Sequence, residues 1–127
     1  MKSAHELVAS ARQQICEISP KQATEILAKQ GTTLIDVREP QEFAAGHLPG
    51  AINLPRGLLE FKLAELPGLE APETTCVLYC KSGGRAALCA VVLEQMGLPN
   101  VVSIVGGYDA WVSERLPVET PPQPSFE

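Results

Sequence analysis

Short apolar runs alternate with amphipathic segments through most of the chain. The apolar runs predict buried strands, and they lie at residues 33–37, 51–54, 76–80 and 101–105. Between them apolar side chains recur at helical spacing, which predicts helices from the Ser19-Pro20 cap to near Gly31 and at residues 40–45, 57–66, 85–96 and 108–115. Because strands and helices alternate, the pattern indicates an α/β fold with a mostly parallel sheet flanked by helices.

The two ends of the chain lie outside this alternation. Residues 3–16 again show helical spacing, which predicts an additional amphipathic helix with its apolar face formed by Leu7, Val8, Ala11 and Ile15. From Pro117 onward four prolines and two acidic residues are typical of a disordered tail. We therefore divide the chain into a helical extension at 1–17, one α/β domain at 18–116 and a tail at 117–127.

The composition supports one globular domain and argues against several classes of function. The 127 residues are 45% hydrophobic and 20% charged, which suffices for one core and is too little for two domains. A formal net charge of −5 opposes nucleic-acid binding as the main function. Charged residues interrupt the first positions and no apolar run approaches membrane-spanning length, so we expect no membrane partner and predict a cytoplasmic protein.

Cysteines at positions 16, 76, 80 and 89 suggest disulfides, a metal site or thiol chemistry. Thiol chemistry is the better explanation in a reducing compartment, because structural disulfides belong mostly to exported chains. Zinc usually needs about four ligands in closely spaced pairs, whereas Cys76 and Cys80 have no second pair and no nearby histidine. We therefore predict no metal, interpret Cys76 and Cys89 as small core residues, and assign Cys16 no role.

Two polar segments follow predicted strands at the edge where such sheets carry their active sites, beyond the carboxyl ends of the strands. Arg38 follows one strand, and the segment 80–85 follows another. Arg38 either assists in binding an anion or forms an ion pair with Asp36 and Glu42 that fastens two loops. The ion pair is favoured, and Arg38 is kept as a candidate substrate-binding residue. His47, in a Gly-His-Leu-Pro-Gly turn, is predicted to be structural rather than a general base.

The segment that begins at Cys80 carries the clearest chemistry. The dipole and free amides of the following helix favour a thiolate, which makes Cys80 the candidate catalytic nucleophile. Two consecutive glycines let the backbone amides of 81–85 curl around a group on the sulfur. The candidate substrate-binding residues here are Lys81, Ser82, Gly83, Gly84 and Arg85, of which the two cations supply local positive charge and Ser82 a hydroxyl donor. A buried structural cysteine before an ordinary turn is the alternative.

These motifs together resemble the rhodanese family, and the likeness runs from about Ile18 to Trp111. It rests on Ile-Ser-Pro at 18–20, Leu-Ile-Asp-Val-Arg-Glu-Pro-Gln-Glu-Phe at 34–43, Gly-His-Leu-Pro-Gly-Ala-Ile-Asn-Leu-Pro at 46–55, the Cys80 loop, and Gly-Gly-Tyr with Ala-Trp at 106–111. The resemblance implies a five-stranded sheet, with the helix before Ile18 outside the minimal domain. One departure is Ala86, where relatives often have serine.

The resemblance also implies an activity. A sulfurtransferase of this family takes sulfur from a small anionic donor such as thiosulfate, holds it as a transient persulfide on the residue matching Cys80, and passes it to cyanide or a thiol. We expect the same here, without a metal or organic cofactor and without nucleic acid as a partner. A protein sulfur acceptor is a further candidate partner.

Two other functions compete with sulfur transfer. Cysteine phosphatases and arsenate reductases of related architecture use Cys-x5-Arg, whereas this chain has Cys-x4-Arg. The shorter loop makes a tighter ring of amides, which suits one terminal sulfur better than a tetrahedral oxyanion. A non-catalytic interaction module with the same fold is the second alternative. Such a module needs no loop cysteine, so the presence of Cys80 argues against it.

Overall fold

The computed structural model describes residues 1–122, which form five strands and six α-helices. In chain order these are α1 Ala4–Gln14, β1 Cys16–Ile18, α2 Pro20–Leu27, β2 Thr32–Asp36, α3 Pro40–Ala45, β3 Ile52–Asn53, α4 Leu59–Lys62, β4 Thr75–Tyr79, α5 Gly84–Gln95, β5 Val101–Ile104 and α6 Gly107–Ser113. Short 3₁₀ turns precede and follow α4.

The five strands form one sheet in the order β1-β5-β4-β2-β3, and every pairing is parallel. The predicted α/β class, with a mostly parallel sheet, is therefore confirmed. β4 lies at the centre, with Asp36 beside Tyr79 on one side and Ser103 beside Leu78 on the other. Because β4 is covered on both faces, its sequence is apolar at nearly every position, as in other central parallel strands.

Hydrophobic cores lie on both faces of the sheet. Alternate residues of β4 point to opposite faces, so Leu78 joins the core beneath α4 and α5, while Val77 joins the core beneath α2 and α6. Helix α1 packs against α5 and buries Ala11. The N-termini of α5 and α6 both contact Cys80, the residue that follows β4.

Several predicted elements are confirmed, and two differ. Ser19 caps α2 by accepting a hydrogen bond from the Gln22 amide at 3.1 Å, and α3 has its predicted bounds. The prediction missed β1 and assigned Cys16 to the first helix, because a three-residue edge strand has no pattern of its own and depends on pairing with β5. The helix predicted at 57–66 is divided into a 3₁₀ turn, α4 and a second 3₁₀ turn.

The start of the segment predicted to be a disordered tail makes defined contacts. Trp111 Nε1 donates to the Pro117 carbonyl at 2.7 Å, and the backbones of His47 and Glu119 exchange two hydrogen bonds of 2.8 Å. Residues 123–127 of the predicted tail lie outside the described residues. Within residues 1–122, no helix combines the length and apolar character that crossing a membrane would require.

Candidate active site

Cys80 is the residue directly after β4, and its side chain points to the N-terminus of α5. The thiol is buried, with the residue 1% exposed, and its Sγ accepts hydrogen bonds from the backbone amides of Gly83 at 3.1 Å and Ala86 at 3.4 Å. Gly83 is the N-cap of α5 and has a φ of 108°, a conformation that a side chain would strain. The sulfur therefore faces amide donors of the loop and first helical turn, where negative charge is stabilised.

Helix α6, which follows the neighbouring strand β5, is hydrogen-bonded to the Cys80 loop. The amide of Tyr108 donates to the Cys80 carbonyl at 2.8 Å, and the amide of Asp109 donates to the Lys81 carbonyl at 3.0 Å. Gly107 lies so close to the Cys80 carbonyl that a Cβ on it would overlap that oxygen. The Gly-Gly-Tyr motif therefore supports the loop, a role that the sequence analysis did not assign to it.

Helix α1 also contacts the loop, although the sequence analysis placed it outside the domain. A Cβ added to Gly83 would lie 3.0 Å from Arg12 Nη2, and one added to Gly84 would lie 3.5 Å from Val8 Cγ2. Arg12 itself lies 3.5 Å from a Glu17 carboxylate oxygen on β1. The side of the loop that faces α1 is thus covered by side chains of the extension.

Both cations of the loop are paired with carboxylates. Lys81 Nζ lies 2.8 Å from Asp109, and the Arg85 guanidinium makes two hydrogen bonds of 2.7 and 3.0 Å to Glu42. The hydrogen bonds from Arg85 lower the pKa of the Glu42 carboxyl to about 2. The structure thus joins Glu42 to Arg85, whereas the sequence analysis grouped it with Arg38.

Arg38 is a buried side chain whose Nε and Nη2 groups donate hydrogen bonds within the protein. Its guanidinium donates to Asp36 at 2.7 Å and to the Gly46 carbonyl at 2.7 Å. It also lies 4.4 Å from the ring centroid of Tyr108 and 5.5 Å from that of Tyr79. These contacts favour the structural interpretation of Arg38 and connect the loop after β2 to α6.

The other candidate residues and the other three cysteines differ in how exposed they are. Ser82 is exposed, and within residues 1–122 its hydroxyl makes no hydrogen bond to Cys80. Cys76 and Cys89 are buried, and burial raises the pKa of each thiol to about 12. Cys16 is exposed. The ring of His47 stacks on the ring of Phe43.

The side chains described offer no ready metal site. Across residues 1–122, no group of three or more histidine, cysteine, aspartate or glutamate side chains is placed to hold an ion.

Comparison with known families agrees with this geometry. The model of the rhodanese-like domain matches residues 19–114, which include all of the elements from α2 to α6. The chain belongs to the rhodanese-like domain family. Among its relatives, thiosulfate sulfurtransferase GlpE of Haemophilus influenzae is 35% identical over 105 residues, covering 82% of this chain and 94% of that protein.

Solved structures show the same rhodanese-like fold. The polysulfide-sulfur transferase homodimer of Wolinella succinogenes is 36% identical, with a TM-score of 0.77 and coverage of 91% of this chain and 86% of that one. A protein of unknown function from Rhodopseudomonas palustris, described as a possible tyrosine phosphatase, is 28% identical with a TM-score of 0.81. That match covers 94% of this chain and 96% of the other.

Proposed function

We propose that this rhodanese-like chain is a sulfurtransferase that carries sulfane sulfur as a persulfide on Cys80. Several of its relatives are named sulfurtransferases, which supports the general activity. The observation that carries the mechanism is the position of Cys80 Sγ, buried and hydrogen-bonded to the amides of Gly83 and Ala86 at the start of α5.

In the first step the Cys80 thiolate attacks the outer sulfur of a small anionic donor such as thiosulfate. A bond forms between the Cys80 sulfur and that sulfane sulfur, and the sulfur–sulfur bond of the donor breaks. The electron pair of the broken bond leaves with the remainder, sulfite in the case of thiosulfate. The protein then holds Cys80–S–S⁻, and amide donors around the loop stabilise its negative charge.

In the second step a nucleophilic acceptor attacks the outer sulfur of the persulfide. Cyanide would leave as thiocyanate and a thiolate as its own persulfide, and in both cases the electron pair returns to the Cys80 sulfur. The reaction therefore balances without a metal or an organic cofactor. We propose a protein thiol as a further acceptor, and the cytoplasm as the place of the reaction.

Mass spectrometry of the protein after incubation with thiosulfate tests this proposal directly. We expect one added sulfur on Cys80 in the wild type and none in Cys80→Ser, which should also lose thiosulfate-to-cyanide activity because a hydroxyl is not ionised at neutral pH. Cys16→Ser is the matched control, since Cys16 is the exposed cysteine and should leave turnover unchanged. Activity retained in Cys80→Ser would contradict the proposal.

A cysteine phosphatase is the second candidate function, and the likeness to the Rhodopseudomonas protein favours it. The Cys-x4-Arg spacing argues against it, and the Arg85 guanidinium is already bound to the Glu42 carboxylate. Hydrolysis of an aryl phosphate at a rate comparable with sulfur transfer would favour the phosphatase. Sulfur transfer without such hydrolysis would exclude it.

A further inference from the structure

Arg12 lies in the last turn of α1, outside the residues that match the family, and its guanidinium reaches the Cys80 loop. A Cβ added to Gly83 would lie 3.0 Å from Arg12 Nη2 and 3.5 Å from the amide nitrogen of Gly106. Two heavy atoms at the shorter of these distances are closer than ordinary van der Waals contact, which for carbon is about 3.5–4.0 Å. Arg12 therefore fits against Gly83 because that residue has no side chain.

Gly83 needs support from its surroundings, because a glycine backbone does not fix its own conformation. Glycine reaches both signs of φ at little cost, and the φ of 108° at Gly83 is one of many values open to it. The amide of Gly83 donates to Cys80 Sγ at 3.1 Å, and its direction depends on that angle. An unusual conformation at a functional site persists where neighbouring groups hold it. Arg12 contacts Gly83 on the side where a Cβ would lie, so it limits how the backbone of Gly83 can move.

Glu17, on β1, holds the Arg12 guanidinium in place. Arg12 Nε lies 3.5 Å from Glu17 Oε2, while Nη2 of the same planar group faces Gly83. Glu17 Oε2 is buried, and within residues 1–122 it accepts no hydrogen bond. A buried carboxylate oxygen without a donor is costly unless a cation lies beside it, so Glu17 favours the position that Arg12 takes. The rigid guanidinium thus links strand β1 to the loop after β4.

We propose that Arg12 is a positioning residue for persulfide formation, and that its guanidinium, held by Glu17, keeps the amide of Gly83 directed at Cys80 Sγ. The proposal rests on the sulfurtransferase function proposed above and adds to its site a side chain from α1, which precedes the family match at residues 19–114. Arg12 acts through this amide and not on the sulfur donor. Its removal should therefore slow the attack of Cys80 on the bound donor and leave the affinity for the donor unchanged.

Rapid mixing with thiosulfate followed by mass spectrometry tests this role. In Arg12→Gln we expect the maximal rate of persulfide formation on Cys80 to fall about tenfold, with the thiosulfate concentration that gives half of that rate unchanged. Ala11→Gly is the matched control, because it weakens α1 at a buried position and keeps the guanidinium. Urea denaturation should show Ala11→Gly to be at least as destabilising as Arg12→Gln, while its rate of persulfide formation stays at the wild-type level.

A double variant shows whether Arg12 acts through Gly83. In Gly83→Ala the amide is already displaced, so adding Arg12→Gln should slow persulfide formation less than threefold, against about tenfold in the wild-type background. Equal losses in the two backgrounds, an equal loss in Ala11→Gly, or an unchanged maximal rate in Arg12→Gln would overturn the role of Arg12 and leave the proposed function standing. If the wild-type protein forms no persulfide on Cys80, the proposed function fails, and the role of Arg12 fails with it.

Discussion

At the scale of single residues, the candidate site is built from backbone amides and from the glycines that let them approach. Gly83 and Ala86 direct N–H groups at the sulfur, and neither contact depends on a side chain. For this reason Ala86 supplies a donor although its side chain is apolar. Gly107 serves the loop differently, because it leaves room for the carbonyl of Cys80.

The two consecutive glycines of the loop should respond differently to the same substitution. Gly83 has a φ of 108° and Arg12 Nη2 close by, whereas a Cβ on Gly84 would make ordinary contact with Val8. Alanine at Gly83 costs about 1–2 kcal/mol of backbone strain and displaces the amide from Cys80. We expect Gly83→Ala to slow persulfide formation at least tenfold and Gly84→Ala less than threefold, measured with thiosulfate by rapid mixing and mass spectrometry. Equal rates in the two variants would contradict this role for Gly83.

At the scale of elements, ion pairs and amide contacts connect segments that are far apart in sequence. The pair between Glu42 and Arg85 joins α3 to the start of α5, and the amides of α6 hold the loop from the other side. Arg38 connects the loop after β2 to Gly46 and to the ring of Tyr108. Arg85 therefore holds two distant elements together through its pair with Glu42.

The Glu42–Arg85 pair predicts how stability depends on pH. The pKa of Glu42 is about 2 in the folded protein against an ordinary 4.5, so its stabilisation is present above pH 5 and is lost as the pH falls toward 2. We expect Glu42→Gln to lower the free energy of unfolding at pH 7 and to differ little from wild type near pH 2, measured by urea denaturation. Glu65→Gln, which breaks an exposed pair with Lys62, is the control and should have a small effect at every pH. If the difference in the free energy of unfolding between Glu42→Gln and wild type does not become smaller as the pH falls, the ion pair is not the cause of that difference.

At the scale of the whole molecule, segments beyond both ends of the family match are attached to the domain. At the N-terminus α1 packs on α5, and its Arg12 and Val8 face the Cys80 loop. At the other end Pro117 and Glu119 bond to Trp111 and His47. The rhodanese-like domain of this chain is therefore covered on two sides by its own extensions.

Removing the C-terminal segment tests this attachment. A chain ending at Leu116 loses the acceptor of the buried Trp111 N–H and the two backbone bonds of His47, so we expect it to be less stable by about 1–3 kcal/mol. The temperature of unfolding should fall by several degrees. A chain ending at Pro122 keeps both contacts and is the matched control. Identical thermal unfolding of the two chains would show that these contacts add no stability.

The sequence by itself determined the order of strands and helices, apart from β1, and located the candidate nucleophile. These features depend on local periodicity, on caps such as Ser19-Pro20, and on the compact group from Cys80 to Arg85. Each can be inferred from a few neighbouring residues, because hydrophobic spacing and backbone conformation are local properties.

Only the tertiary structure decided which charges meet and what covers the loop. Nothing near Arg85 in sequence selects Glu42, which lies 43 positions away, as its partner, and nothing in residues 1–17 indicates contact with Gly83. The same is true of β1, which needs β5 beside it. Such contacts depend on how the parallel strands order themselves in the sheet, and that order brings distant segments to one edge.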